Sequence, residues 1–181
     1  MLGYVVCLIL SALVLASTSD KYRIDTGKVV VGGFSAGAFT ALHTAYVHSE
    51  SEILDLGGTG LLDHVSAQGG LEGSSGNAGY SSAVHGVFNI AGALGKASML
   101  NAGEPALFSV HGTEDEVVPI GEGDADGTGV VTQGSVLIHQ VADAENVPNL
   151  LKSISGGDHG AFDNCSDCAP EARKFFYENL F

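Results

Sequence analysis

The segment that most narrows the fold is a short β-branched run, residues 28–31, that leads straight into Gly32-Gly33-Phe34-Ser35-Ala36-Gly37. The run lies between Asp25-Thr26-Gly27 and Gly32-Gly33, as a buried parallel strand would. Residues 36–48 follow with Ala, Phe, Leu, His and Tyr and no Gly or Pro after Gly37, which predicts a helix packed on that strand. Between the two, Gly33-Phe34-Ser35-Ala36-Gly37 matches G-x-S-x-G. Small residues beside the serine let the chain reverse sharply from strand to helix and push the hydroxyl out at the carboxyl edge of a sheet. The Ala36 N–H, at the helix start, is then placed to donate to an oxyanion forming beside that hydroxyl.

Further strands and helices alternate along the chain. Residues 84–90 and 106–110 are apolar strand candidates that end in the turn pairs Ala91-Gly92 and His111-Gly112. Residues 94–101 read as a short helix, 135–143 as a helix, 150–154 as a last strand and 170–180 as a closing helix opened by Pro170. Residues 57–82 are dense in Gly and Ser without sustained periodicity, and read as a long loop, with Tyr80 as a candidate wall of a substrate rim. The β-α rhythm predicts an α/β fold: a mostly parallel sheet of four to five strands with helices on both faces.

A serine hydroxyl is a weak nucleophile until a base takes its proton, and that base needs a carboxylate to fix its tautomer. On a sheet of this kind the partners follow in the order acid, then histidine, each on a loop after a strand. His111-Gly112-Thr113-Glu114-Asp115-Glu116-Val117-Val118-Pro119 follows the strand at 106–110, so Asp115 is the expected acid, with Glu114 and Glu116 as alternatives. Gly156-Gly157-Asp158-His159-Gly160 follows the strand at 150–154, and its glycines allow close approach to the serine, so His159 is the expected base. His139 and His43 fall on predicted helices, with His48 at the end of the same helix as His43, and all three read as structural. His64 lies in the Gly-rich stretch. His111 is expected to shape its turn, and Phe34 to pack behind the serine.

Several functional classes are disfavoured by composition. Seven Lys and Arg against 21 Asp and Glu give a formal charge of −14, which leaves no basic stripe for nucleic acid. With 45% hydrophobic residues in 181, the chain suits one domain with a real core. Residues 2–16 are apolar, too short for an ordinary membrane span of about 20 residues, and read as the core of a secretory signal within residues 1–19, although no basic residue precedes Lys21. The expected domain then covers residues 20–181, outside the cytoplasm. Cys7 lies in the apolar run, while Cys165 and Cys168 suit a local disulfide, since one C-x-x-C lacks the second ligand pair of a structural zinc site. Asp124-Ala125-Asp126-Gly127-Thr128-Gly129 has the alternating oxygens of a calcium loop, but the twelfth position is Ser135 and not Glu, which favours a solvated acidic turn.

Taken with Tyr22-Arg23-Ile24-Asp25, Gly76-Asn77-Ala78-Gly79-Tyr80-Ser81-Ser82 and residues 89–92, these motifs resemble the secreted carboxylesterases of the α/β-hydrolase fold. The resemblance implies hydrolysis of small-molecule or polymeric carboxylic esters through an acyl-serine on Ser35, with Asp115 and His159 as triad partners and no metal or organic cofactor. It also implies several strands and a His-Gly-Gly oxyanion loop ahead of the serine, which the 34 residues before Ser35 do not contain. The chain therefore reads as the C-terminal half of such a domain. A noncatalytic domain acting by binding or association is the alternative, and an exposed first strand would invite pairing with a second copy.

Overall fold

A computed structural model describes residues 12–74, 77 and 79–181. Most of the apolar run at 2–16, Cys7, and Gly76 and Ala78 of the Gly-rich segment lie outside the described residues. Four strands form one parallel sheet: β1 (Val30–Phe34), β2 (Gly86–Ile90), β4 (Ala106–Gly112) and β7 (Asn149–Ile154), in the spatial order β1-β2-β4-β7. Between β2 and β4 comes β3 (Ala93–Leu94), and between β4 and β7 come β5 (Glu122–Asp124) and β6 (Val131–Gly134). The last three make a separate antiparallel sheet, ordered β3-β6-β5.

The main sheet is covered on both faces, as the alternating sequence predicts. On one face pack α1 (Ala36–Tyr46) and α3 (Ser135–Ala144), whose Leu42, Tyr46, Ile138 and Ala142 share a cluster with Val87 and Leu107. The other face is covered by α4 (Cys168–Leu180), whose Phe175 and Phe176 join Phe108 and Val110. Phe88 meets Phe108 edge to face with centroids 5.6 Å apart, a geometry in which the positive ring edge faces the negative ring face. Every residue of β4 is buried, because this strand has neighbours on both sides and helices on both faces. β1 pairs with β2 alone among the described residues, and its residues alternate between exposed and half-buried.

Five segments differ from the sequence expectation. The first strand begins at Val30 instead of Lys28 and runs to Phe34, because Gly32 and Gly33 pair in register with Phe88 and Asn89. A Cβ on Gly32 would lie 2.8 Å from the Phe88 carbonyl oxygen, so the glycines there are strand residues required by close approach. Residues 94–101 are not a helix. Leu94 closes β3, and a 3-10 turn, Ala97–Met99, follows it, held by the Ala97 N–H donating to Gln133 Oε1 at 2.7 Å.

The Gly-rich loop expected from residue 57 starts later, since α2 (Glu50–Ala67) extends into it. A capping box opens this helix, with Ser49 Oγ accepting the Glu52 N–H and Glu52 Oε2 accepting the Ser49 N–H. Gly57 and Gly58 break it into residues 50–56 and 59–67. The second piece persists because Leu61 and Val65, one turn apart, face the same apolar cleft as Phe39, Ile53 and Leu56. Finally, α4 begins at Cys168, ahead of Pro170, and the 122–134 segment forms the small antiparallel sheet that short polar strands had hidden.

Candidate active site

Because the four main strands run parallel, the loops after β1, β4 and β7 all emerge at one edge of the sheet. Ser35, Asp115 and His159 stand on these three loops. His159 Nε2 lies 2.9 Å from Ser35 Oγ, and His159 Nδ1 lies 2.8 Å from Asp115 Oδ2. The structure thus joins hydroxyl, imidazole and carboxylate in one hydrogen-bonded row across 124 and 44 residues of sequence.

Local sequence explains each placement. Ser35 has φ 54° and ψ −121°, a left-handed conformation rare outside glycine, and its N–H donates to the Ile90 carbonyl at 2.9 Å. The turn is tight enough that a Cβ on Gly33 would overlap the Gly37 backbone. Ala36 is the first residue of α1 and is exposed, so its N–H belongs to the helix donors that lack an intrahelical acceptor. Gly112 plays the matching part between the other two loops, since a Cβ there would overlap the carbonyl oxygens of Gly157 and Asp158. The Glu114 N–H donates to the Gly157 carbonyl at 2.9 Å and fastens the loops together.

The carboxylate of Asp115 is buried, whereas Glu114 and Glu116 are exposed. Its Oδ1 accepts the N–H groups of Val117 at 3.0 Å and Val118 at 2.8 Å. Its Oδ2 faces the His159 imidazole and, at 3.3 Å, Nε2 of His111. The His159 side chain keeps 20% of its surface exposed, open to a ligand approaching from solvent. Phe34 does not pack behind the serine. It is half exposed and its ring lies 4.8 Å from that of His159, because the strand ends with Phe34 pointing out at the site edge.

The other histidines stand away from Ser35. His64 and His48 are exposed, and His48 faces Glu104 at 3.5 Å. His43 Nδ1 bonds the Phe39 carbonyl oxygen at 2.7 Å while Nε2 accepts the Gly95 N–H at 3.4 Å. His139 lies on α3, buried against β4 and β7. Asp124 closes its own turn, accepting the Gly129 N–H at 2.9 Å and the Thr128 hydroxyl at 3.2 Å. Cys165 and Cys168 form a disulfide, and it pins the entry to α4.

A polar network beneath the site was missed by the sequence reading. Asn89 Nδ2 bonds Ser109 Oγ at 2.9 Å and Ser135 Oγ at 3.0 Å. Ser135 in turn meets His111 Nδ1, and Ser109 meets His139 Nε2, each at 2.8 Å. The strand period carried the signal: Ser109 and His111 are two apart on a buried strand, and Asn89 is the register partner of Ser109.

Burial lowers the affinity of His43, His111 and His139 for a proton, since charging an imbedded imidazole costs solvation. The unfolded chain, with histidines near pH 6.5, takes up protons that the folded chain refuses. Stability is therefore full above that pH and falls as the pH drops through it, by up to about 1.4 kcal/mol per pH unit for each imidazole. The expected result is a lower urea midpoint at about pH 5 than at about pH 7.5. An unchanged midpoint would show that these rings charge freely in the fold.

No family model matches the sequence, and no curated protein matches it. Solved structures do match. A truncated carbohydrate esterase from gut microbiota superposes with TM-score 0.67 at 17% identity, over 96% of this chain and 67% of that one. An acetyl ester-xyloside bifunctional hydrolase from Caldicellulosiruptor lactoaceticus gives TM-score 0.67 at 15% identity, over 96% and 65%. A thermophilic esterase from the Planctomycetes species Thermogutta terrifontis, with butyrate bound, gives 0.62 at 18%, over 94% and 64%. The chain spans about two thirds of the length of these structures. At such identities the likeness establishes a shared α/β fold.

Proposed function

We propose that this chain is a serine carboxylesterase in which Ser35 is the nucleophile, His159 the general base and Asp115 the carboxylate that orients it. The observation that carries this reading is the continuous row from Ser35 Oγ through both ring nitrogens of His159 to Asp115 Oδ2, with spacings of 2.9 and 2.8 Å. His159 takes the serine proton as Oγ attacks the ester carbonyl carbon. The imidazolium then gives that proton to the departing alkoxide, and an acyl-serine remains. Water enters, loses a proton to His159, attacks the acyl carbon, and the serine hydroxyl is restored as the acid leaves.

Ala36 N–H is the oxyanion donor in this proposal, strengthened by the N-terminal dipole of α1. Removing one such donor from a pair costs about 10²–10³ in rate, so a site served by Ala36 alone would turn over slowly. The similar structures carry esterase names, which supports ester substrates here.

A fluorophosphonate probe tests the reading directly. It is expected to label Ser35, with the mass increment on the peptide that holds residues 28–46 and loss of labelling after heat denaturation. Folded protein that remains unlabelled favours the alternative of a domain acting by binding.

We further read residues 20–181 as the hydrolase domain and residues 1–19 as an export signal. The Cys165–Cys168 disulfide supports an oxidising compartment. No helix among the described residues is long and apolar enough to cross a membrane. The edge of β1 that has no partner among the described residues, with Val30 and Phe34 exposed, is where a second copy would add. Light scattering at rising concentration is expected to report a dimer; a constant monomer mass would remove that proposal.

A further inference from the structure

We propose that His111 is a positioning residue for Asp115, its ring held in one tautomer by a hydrogen-bond network anchored on Asn89 and running through the core. This rests on the triad reading above. It concerns a second imidazole on the same carboxylate, one that the reaction itself does not use.

Each proton in the network follows from the groups at its ends. The Gly92 N–H donates to Asn89 Oδ1 at 3.0 Å, so the Asn89 amide nitrogen faces the hydroxyls of Ser109 and Ser135 and donates to both. Ser135 Oγ, having accepted, gives its own proton to His111 Nδ1. His111 Nε2 must then carry the ring proton, which suits its partners: the Val118 carbonyl oxygen at 2.8 Å and Asp115 Oδ2 at 3.3 Å can only accept.

The far arm is ordered in the opposite sense. Asn149 Nδ2 donates to Asp143 Oδ1 at 2.8 Å and to the Val147 carbonyl at 3.1 Å, so Asn149 Oδ1 must accept from His139 Nδ1. His139 Nε2 is left bare and accepts the Ser109 hydroxyl proton. The amides of Asn89 and Asn149 together therefore fix two buried histidines in opposite tautomers. Asn89, Ser109 and Ser135 are fully buried, and His111 nearly so, which leaves water no place to rearrange these bonds.

For Asp115 the result is donors on every side. Two backbone N–H groups hold Oδ1, while His159 and His111 approach Oδ2. The carboxylate cannot rotate without breaking bonds that nothing else replaces. His159 consequently meets a fixed acceptor, which sets its ring plane relative to Ser35.

Two half-mimics of imidazole separate this role from simple packing. Glutamine places its amide nitrogen near the position of Nε2, and asparagine reaches only that of Nδ1. His111→Gln is expected to keep kcat for p-nitrophenyl acetate within about threefold of wild type, while His111→Asn lowers it roughly tenfold to a hundredfold at unchanged KM. Imidazole nitrogen NMR shifts of the wild-type protein are expected to place the proton on Nε2 in His111 and on Nδ1 in His139. Where neither variant folds, Ser135→Ala decides, with an expected fall of about threefold to tenfold in kcat and a disturbed His111 signal. Equal kcat for the two His111 variants, an Nδ1 proton on His111, or an unaffected Ser135→Ala enzyme overturns the proposal. Wild-type protein that neither turns over ester nor takes the fluorophosphonate defeats the triad reading, and the positioning role with it. An active wild type with indifferent variants defeats the positioning role alone.

Discussion

Ser35→Ala is expected to lower kcat for a short p-nitrophenyl ester by about 10⁴-fold or more while leaving the protein folded. In the proposed mechanism the Ser35 hydroxyl is the group His159 deprotonates, at 2.9 Å from Nε2. Alanine removes the nucleophile and nothing else, since it tolerates φ 54° no better and no worse than serine. Thermal unfolding of the Ala variant should therefore stay near that of wild type. Ser35→Gly loses the same activity but relieves the left-handed conformation, and is expected to be the more stable of the two by up to about 1–3 kcal/mol of released strain, less the entropy glycine loses on folding. The pair separates chemistry from strain. Equal turnover by wild type and Ser35→Ala would mean that ester cleavage occurs elsewhere on the protein.

The sequence made the three candidate residues legible because each sits in a local context that needs no knowledge of its partners. Ser35 follows a β-branched strand and opens a helix, Asp115 follows a buried strand, and His159 lies between glycines after the last one. Chain direction did the rest, since parallel strands must release their loops at one edge. Phe34 was misplaced for a related reason: alternation on a strand tells which residues share a face, but not which face the sheet leaves uncovered. Among the described residues β1 pairs on one side only, and Phe34 stays at the surface beside His159.

The small antiparallel sheet and the second half of α2 escaped for different reasons. β5 and β6 are short and polar, and they pair because residues 117–136 must turn back toward α3, where Gly134 packs directly on the Pro119 carbonyl. In α2, Gly57 and Gly58 imitate a terminator, while Leu61 and Val65 resume the helix only because an apolar cleft is there to receive them. The Asn89 network was hidden more deeply. Single polar residues inside apolar strands look like interruptions until register shows that they face one another.

The second large effect is expected from Asp115→Asn, and it follows from counting donors. The aspartate accepts two backbone N–H groups on Oδ1 and the His159 Nδ1–H on Oδ2, and His111 Nε2 lies 3.3 Å from that second oxygen. An asparagine has one oxygen. If that oxygen stays with the Val117 and Val118 N–H groups, the amide nitrogen confronts the Nδ1–H of His159 and the Nε2–H of His111, donor against donor. His159 has an escape: it moves its proton to Nε2 and accepts the amide at Nδ1. Nε2–H then points at Ser35 Oγ, and the ring holds a proton where the reaction requires a lone pair. kcat is expected to fall about 10⁴-fold, even in molecules that fold correctly. His111 has no such escape, because its Nδ1 already receives the Ser135 hydroxyl, so the melting temperature should drop as well. Activity is therefore to be compared per folded molecule, judged by near-ultraviolet circular dichroism. An Asn variant within tenfold of wild type would mean that a group other than the Asp115 carboxylate sets the His159 tautomer.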